Sequence, residues 1–470
     1  MSAFKNLSWS AFNSVAGAAM DIIRIAIVAR YLDTADFAVF AIALVVVGFC
    51  QLFSEGGVGN ALVSKEHVSA EQAGNVLNFN LLIAAGIYLI VALSAPFIAG
   101  YYSAPALTNV LLIICLSLPM AAFARILQAM LQRALNMRVI AIAAIVSKTV
   151  GLAVAWLCAV MGLGIYALVW STLSAAAAGL LCLMFFAAGS IQYGLGIKWR
   201  LIQPILSFSV YQLGEFLLNF FAKNFDVLMI TKLLGAEISG LYVIIKNLMV
   251  KVGDIIVTTF SRYFHPVIAQ AQGESDLQKA RLKQQYLRFF RCVTLSVSLA
   301  YLVLYVNGSV LVDLLLGERY GSAKELIYLM ALWLSLRYCT APIATLWLAR
   351  QKPQIGVYWN ILVALLVPLA VYLSYAYGLQ GVVLALLWVQ LLFFVLSLFL
   401  SFLLTWRGAD MPIAQLSWLL LIALPSGLVY AWFDVQSIQP WGLLLMSALV
   451  SCVVLLLAWR YRPLFFKDLS

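Results

Sequence analysis

Charge is what this chain has least of: 10% of its 470 residues are Asp, Glu, Lys or Arg, and only two are histidine. Soluble domains carry about 25% charged residues, so a water-facing surface over the whole chain is excluded. The two histidines, His67 and His265, both fall in segments between apolar runs and suggest no metal site. The seven cysteines lie in or beside apolar runs and none forms a CxxC pair, which argues against a disulfide framework or a zinc site. Acid is scarcer than base, 18 residues against 29, for a net charge of +11. In a soluble protein that excess would suggest nucleic acid. Here the basic residues sit at the ends of hydrophobic runs, which points to membrane topology and anionic lipid and to no nucleic-acid partner. Gly17-Ala18-Ala19 has the look of a cleavage site, yet Asp21 and Arg24 share its run, which no signal h-region tolerates. The glycine-rich Glu55-Gly56-Gly57-Val58-Gly59-Asn60 lacks the lysine and strand context of a phosphate loop and reads as a close-packed helix end.

What remains is apolar. With 65% hydrophobic residues, the chain reads as an all-α integral membrane protein. A run of about 20 apolar residues crosses a bilayer. Fourteen candidate transmembrane helices follow: 8–30, 36–62, 76–99, 107–127, 139–161, 165–188, 205–231, 238–264, 287–315, 322–349, 355–377, 381–405, 413–433 and 441–459. They group as six in residues 1–200, six in 201–405, and a pair in 406–470 that runs into a terminal tail. With the N-terminus inside, sixteen Lys and Arg fall on inner segments and four (Arg30, Lys232, Arg319, Lys324) on outer ones. That positive-inside bias places both termini in the cytoplasm.

One run interrupts its apolarity in a regular way. Within 205–230, Tyr211, Glu215, Asn219, Lys223 and Asp226 recur three or four residues apart and so share one helix face. The first run repeats the pattern 202 positions earlier, in Asn13, Gly17, Asp21 and Arg24. At the same offset Arg30-Tyr31-Leu32-Asp33 matches Lys232-Leu233-Leu234-Gly235, and further on Leu131-Gln132-Arg133 is similar to Leu348-Ala349-Arg350. Six spans separate the copies, so both have the same orientation. Parallel repeats with a site at their interface are a known transporter plan.

Ionisable groups at membrane depth are costly, ~2.5–3.5 kcal/mol each on insertion scales, and face protein or a wet cavity. The eighth span aligns Asn247, Lys251, Asp254, Thr258 and Ser261, with Lys246 beside them; the fifth holds Lys148 and the tenth Arg337 next to Tyr338. Two readings are open. Lys223 with Asp226, Asp21 with Arg24, and Lys251 with Asp254 are i, i+3 pairs that could neutralise one another and merely lock helices together. Against this, Lys148, Lys246 and Arg337 have no acid within four residues on their own helices. The six bases Arg24, Lys148, Lys223, Lys246, Lys251 and Arg337 also outnumber the four acids Asp21, Glu215, Asp226 and Asp254 by two. A net-positive interior suits an anionic substrate. The acids are candidates for ion coupling or structural pairing, and Glu215 could be protonated or bind a cation during transport. No cofactor or metal is expected, and the coupling ion, H+ or Na+, stays open. Asn75, Asn78 and Asn80 either line an inner mouth or cap a helix start. Arg125, near an inner end, is expected to snorkel.

Several stretches resemble a known family. Ala29-Arg30-Tyr31-Leu32-Asp33 with Asp36-Phe37, and Phe53-Ser54-Glu55-Gly56-Gly57-Val58-Gly59-Asn60-Ala61-Leu62-Val63, look like the start of Wzx-type polysaccharide flippases. Leu131-Gln132-Arg133, Leu316-Gly317-Glu318-Arg319-Tyr320 and Leu348-Ala349-Arg350-Gln351 are similar to later parts of that family, nearest its colanic acid exporter branch. The resemblance implies two pseudo-symmetric six-helix lobes around a central cavity, in the superfamily that also holds multidrug exporters and the lipid II flippase. It implies a non-enzymatic flippase that moves an undecaprenyl-pyrophosphate-linked oligosaccharide from inner to outer leaflet by alternating access. The implied setting is the bacterial inner membrane. Implied partners are the lipid-linked oligosaccharide and membrane lipids, with a polysaccharide polymerase and chain-length proteins as candidates; a monomer is expected. No family motif is sharp enough to transfer site residues, so the ten charged candidates rest on spacing alone. On this reading Tyr211, Tyr338 and Trp347 could stack on sugars, with packing as their default role. Two alternatives stand beside it. A cation or drug antiporter should have an acidic, aromatic cavity. A membrane polymerase or ligase should have a sizeable outer loop, and the longest outer connection here lies near 434–440.

Overall fold

A computed structural model describes residues 2–55, 58–64, 68–134, 136–187, 196–270, 276–317, 323–350, 352 and 354–405. Among them every regular element is helical. In the first half these are α1 (Ser2–Ala29), α2 (Thr34–Glu55), α3 (Val58–Ser64), α4 (Ala70–Tyr101), α5 (Ala106–Ile114), α6 (Ser117–Arg133), α7 (Met137–Val160) and α8 (Tyr166–Ala187). There follow α9 (Trp199–Leu234), α10 (Ala236–Gln270), α11 (Asp276–Val306), α12 (Gly308–Leu315), α13 (Ala323–Cys339), α14 (Pro342–Ala349), α15 (Gln354–Ser374) and α16 (Gly378–Thr405). Eight helical stretches among the described residues are long and apolar enough to cross a membrane, and the longest, Gln354–Ser401, holds α15 and most of α16. The last two expected spans, 413–433 and 441–459, lie outside the described residues.

The helices follow the expected runs, with differences that have local causes. The tenth span, expected as one helix over 322–349, is two, because Pro342 at the start of α14 cannot donate to the preceding turn. The fourth span is likewise divided into α5 and α6. There Leu116 and Leu118 donate to carbonyls three residues back, Ile113 and Cys115, in the tighter 3₁₀ pattern. The internal repeat is visible in the helix starts: α2 begins at Thr34 and α10 at Ala236, again 202 positions apart.

By packing, the chain divides into two compact units, Met1–Ile244 and Ile245–Ser470. In the first, α7 and α8 approach through small residues at helical spacing, as membrane helices without a hydrophobic driving force between them tend to do. A Cβ added to Gly151 would sit 2.9 Å from that of Ala175, and one on Gly179 would sit 3.2 Å from Ser147. Ser147 Oγ donates to Ala175 O at 2.7 Å and Ser171 Oγ to Gly151 O at 2.8 Å. A second cluster of buried Val58, Leu62, Leu77, Ile126, Leu127, Leu183 and Ile202 ties together α3, α4, α6, α8 and α9. In the other unit α11 packs on α13, and α13 and α15 on α16. The side chains of Tyr286, Tyr301, Phe289 and Phe393 are fully buried there, with Tyr286 Oη hydrogen-bonded to Ser401 Oγ at 2.6 Å.

The start of α4 answers the question left open for its asparagines. Ser69 caps the helix, accepting from Gln72 N at 3.1 Å. Gln72 Nε2 then donates to Leu201 O at 2.8 Å, Asn78 Nδ2 to Gly196 O at 3.0 Å, and Asn75 Oδ1 accepts from Lys198 N at 2.7 Å. Glu71 forms an ion pair with Lys198. Backbone polar groups of the segment 196–201, which leads into α9, are thus satisfied by side chains of α4. Asn80 is different: it is fully buried, and neither its Oδ1 nor its Nδ2 has a partner. Each hydrogen bond contributes about 0.5–1.5 kcal/mol net. The Gln72→Ala/Asn75→Ala variant should therefore be cut by trypsin after Lys198 and Arg200 at least several-fold faster than the native protein in the same detergent. Unchanged cleavage would mean that the connection is held by something else.

Candidate functional site

Asp21 and Lys148 meet on the first unit's α1–α7 face. Because Ser147 and Gly151 of α7 face α8, the next position round the helix turns Lys148 toward α1. Its Nζ donates to Asp21 Oδ2 at 2.7 Å and to Gly17 O at 2.9 Å. A Cβ on Gly17 would lie 3.2 Å from that ammonium, so glycine leaves the carbonyl accessible. Lys148, without an acid on its own helix, therefore takes one from another. Arg24 stands one turn beyond Asp21 on the same helix, within electrostatic reach of its carboxylate. Arg24 Nε is buried and without a hydrogen-bond partner.

The matching stripe on α9 resolves differently. Asp226 is buried, and it accepts from Tyr242 Oη of α10 and, at 2.9 Å, from the N–H of Val227. Lys223 is exposed. The side chains of Tyr211 and Glu215 lie outside the described set, as does that of Asn13. The aromatic flank of the stripe is packed: Phe220 and Phe221 stand 6.1 and 5.6 Å, centroid to centroid, from Phe49 of α2. Lys232 at the far end of α9 donates to Tyr101 O and lies 4.1 Å from the centre of that ring.

In the second unit Tyr338 of α13 donates to Asp254 Oδ1 at 2.8 Å and contacts Val250 O at 2.9 Å, both on α10. Its ring stacks on Tyr301, whose hydroxyl donates to Met249 O at 2.9 Å. The approach needs Gly253, where a Cβ would lie 2.2 Å from the Tyr338 ring. Arg337 sits 6.0 Å from the Trp333 ring centre, Lys251 is half-buried, and Lys246 is buried. Tyr338 and Trp347 thus have packing roles, Trp347 being buried 5.9 Å from Trp359.

Of the ten charged candidates, Arg24, Lys148, Lys223, Asp21, Glu215 and Asp226 belong to the first unit and Lys246, Lys251, Arg337 and Asp254 to the second. The three described carboxylates Asp21, Asp226 and Asp254 each take a hydrogen bond from a side chain on another helix. Spacing along one helix did not reveal Tyr242, Tyr301, Gly17 or Gly253, since their roles depend on the neighbouring helix. Arg125, expected to snorkel, lies across Gly59, whose added Cβ would fall 2.5 Å from its Nε. Among the described residues no group of three His, Cys, Asp or Glu could hold a metal, and the six described cysteines are free.

This all-helical architecture, with its long apolar helices, is shared with solved membrane proteins. It superposes on the lipid II flippase MurJ, in an inward closed conformation, with a TM-score of 0.75 over 99% of each chain at 14% identity. The chain belongs to the polysaccharide biosynthesis protein family, whose model matches residues 27–325. Among its relatives, the lipopolysaccharide biosynthesis protein WzxC of Escherichia coli K12 is 21% identical over 396 residues, 83% of this chain and 79% of that one. The succinoglycan biosynthesis transport protein ExoT of Rhizobium meliloti 1021 is 23% identical over 328 residues, 70% of this chain and 65% of its own. The Wzx-type resemblance read from the sequence therefore holds.

Proposed function

We propose that the protein is a flippase that carries an undecaprenyl-pyrophosphate-linked oligosaccharide repeat unit across the bacterial inner membrane by alternating access, for surface or exopolysaccharide synthesis. The observation that carries this reading is a shortage of acid: Lys148 takes the carboxylate of Asp21, and Arg24, one turn along α1, keeps a buried Nε without a hydrogen-bond partner. Family membership and relatives named for polysaccharide biosynthesis and transport support it. The basic candidates, Arg24, Lys148 and Lys223 in the first unit and Lys246, Lys251 and Arg337 in the second, are each donors able to make charge-assisted hydrogen bonds to a pyrophosphate, which are roughly twice as strong as neutral ones. The protein acts as a transporter and not as an enzyme, with fourteen spans, lobes at 1–200 and 201–405, a helix pair in 406–470, and both termini cytoplasmic. Its motion is coupled to H+ or Na+ through one of the acids, it works as a monomer, and a polysaccharide polymerase and chain-length proteins receive its cargo.

A strain lacking the protein should accumulate lipid-linked oligosaccharide in the inner leaflet and lose surface polysaccharide, with drug susceptibility unchanged. Increased drug susceptibility with normal polysaccharide would overturn the reading in favour of an antiporter.

A further inference from the structure

Asp21 is placed as no simple structural counter-ion needs to be. It occupies Lys148 directly at 2.7 Å while standing within electrostatic reach of Arg24, one turn along α1. Two cations are thus served by one anion, and the second cation keeps a buried, unpartnered Nε. A buried guanidinium donor without an acceptor is destabilising, so the site has standing demand for another acceptor. The pair is also reachable: the Lys148 side chain keeps 33% of its exposure and that of Asp21 17%. Lys148 has a second, weaker acceptor in Gly17 O, which would hold the ammonium in place were the carboxylate to leave.

We propose that Asp21 is a stand-in anion: it fills the Lys148 end of a phosphate-type site until an esterified pyrophosphate displaces it and bridges Lys148 to Arg24. The inference rests on the flippase reading and names the point where the cargo's anionic headgroup is held. Binding then exchanges one anion for another at Lys148, and it frees Asp21, still on α1, from α7. Arrival of the cargo loosens α1 from α7, so the site reports its own occupancy to the helix pair that builds it. A carboxylate offers two oxygens and a single charge, whereas a diphosphate offers more of both. The exchange therefore favours the diphosphate only when it reaches Lys148 and Arg24 together, which discriminates against monoanionic lipid headgroups.

The test uses the full-length protein in detergent, with farnesyl pyrophosphate, inorganic pyrophosphate and farnesol as titrants. Asp21→Asn removes the competing charge and should tighten farnesyl pyrophosphate binding about tenfold relative to native protein. Adding Lys148→Gln to that variant should reverse the gain. Farnesol should be insensitive to all of these changes. Equal gains for inorganic and farnesyl pyrophosphate would assign the site to the phosphate group alone, and a gain for the lipid form only would assign it to a lipid headgroup; both support the stand-in role. The charge exchange Asp21→Lys/Lys148→Asp separates this from a purely structural ion pair. It should keep the thermal stability of the native protein and yet bind pyrophosphate at least tenfold more weakly. A charge-exchanged protein that binds as the native one does would overturn the proposal. So would Asp21→Asn protein that is monodisperse, melts near the native temperature and binds no more tightly. Native protein that binds neither pyrophosphate would sink the flippase reading itself, a different result from native binding that Asp21→Asn fails to improve.

Discussion

Gly240→Val is expected to remove folded protein from the membrane. A Cβ at Gly240 would lie 1.8 Å from the carbonyl oxygen of Thr34, well inside van der Waals contact, and that oxygen belongs to backbone that cannot rotate aside. Overpacking a filled site typically costs about 1–3 kcal/mol because side chains must shift. Here the start of α10 would have to move off the start of α2, so the upper end of that range or beyond applies. Monodisperse protein recovered from membranes should fall at least tenfold. Gly86→Val on α4 is the control: that position is exposed and has nothing within 4 Å of an added Cβ. Comparable recovery of the two variants would show that α2 and α10 tolerate separation at this point.

Arg337→Ala and Lys251→Ala are expected to stop export while leaving the protein in place. Each loses a charged donor, worth about 1.5–3 kcal/mol per hydrogen bond to an anion, so roughly ten- to hundredfold in cargo handling. Stability should change little. The contact of Arg337 with Trp333 is at the long end of cation–π range, where such contacts contribute about 0.5–1 kcal/mol. The Tyr338, Asp254 and Tyr301 network that anchors this region remains intact. Surface polysaccharide measured in a deletion strain carrying each variant, beside its membrane level, decides the matter. Native export from both would withdraw these two residues from the site.

Much of this architecture is legible along the chain. The α2 and α10 starts fall at the offset that the repeated stripe announces, because helix boundaries follow local run length and turn chemistry. The division of the tenth span follows from Pro342 once a break is allowed inside an apolar run. The division of the fourth has no such marker. Asn75 and Asn78 read as helix-start residues or as cavity lining, and the connection 196–201 that they hold lies more than a hundred positions away. No helical period encodes that distance.

The charged residues divide in the same way. Two copies of one stripe give Asp21 to Lys148 of α7 and Asp226 to Tyr242 of α10, although the spacing in the two helices matches. By itself the sequence determined the membrane class, the family, the offset between the starts of α2 and α10 and which faces carry charge, because apolar run length and helical periodicity are local. Only the tertiary structure decided which partner each charge meets. That choice depends on which helix lies alongside and on the small residues, such as Gly17 and Gly253, that let it come close.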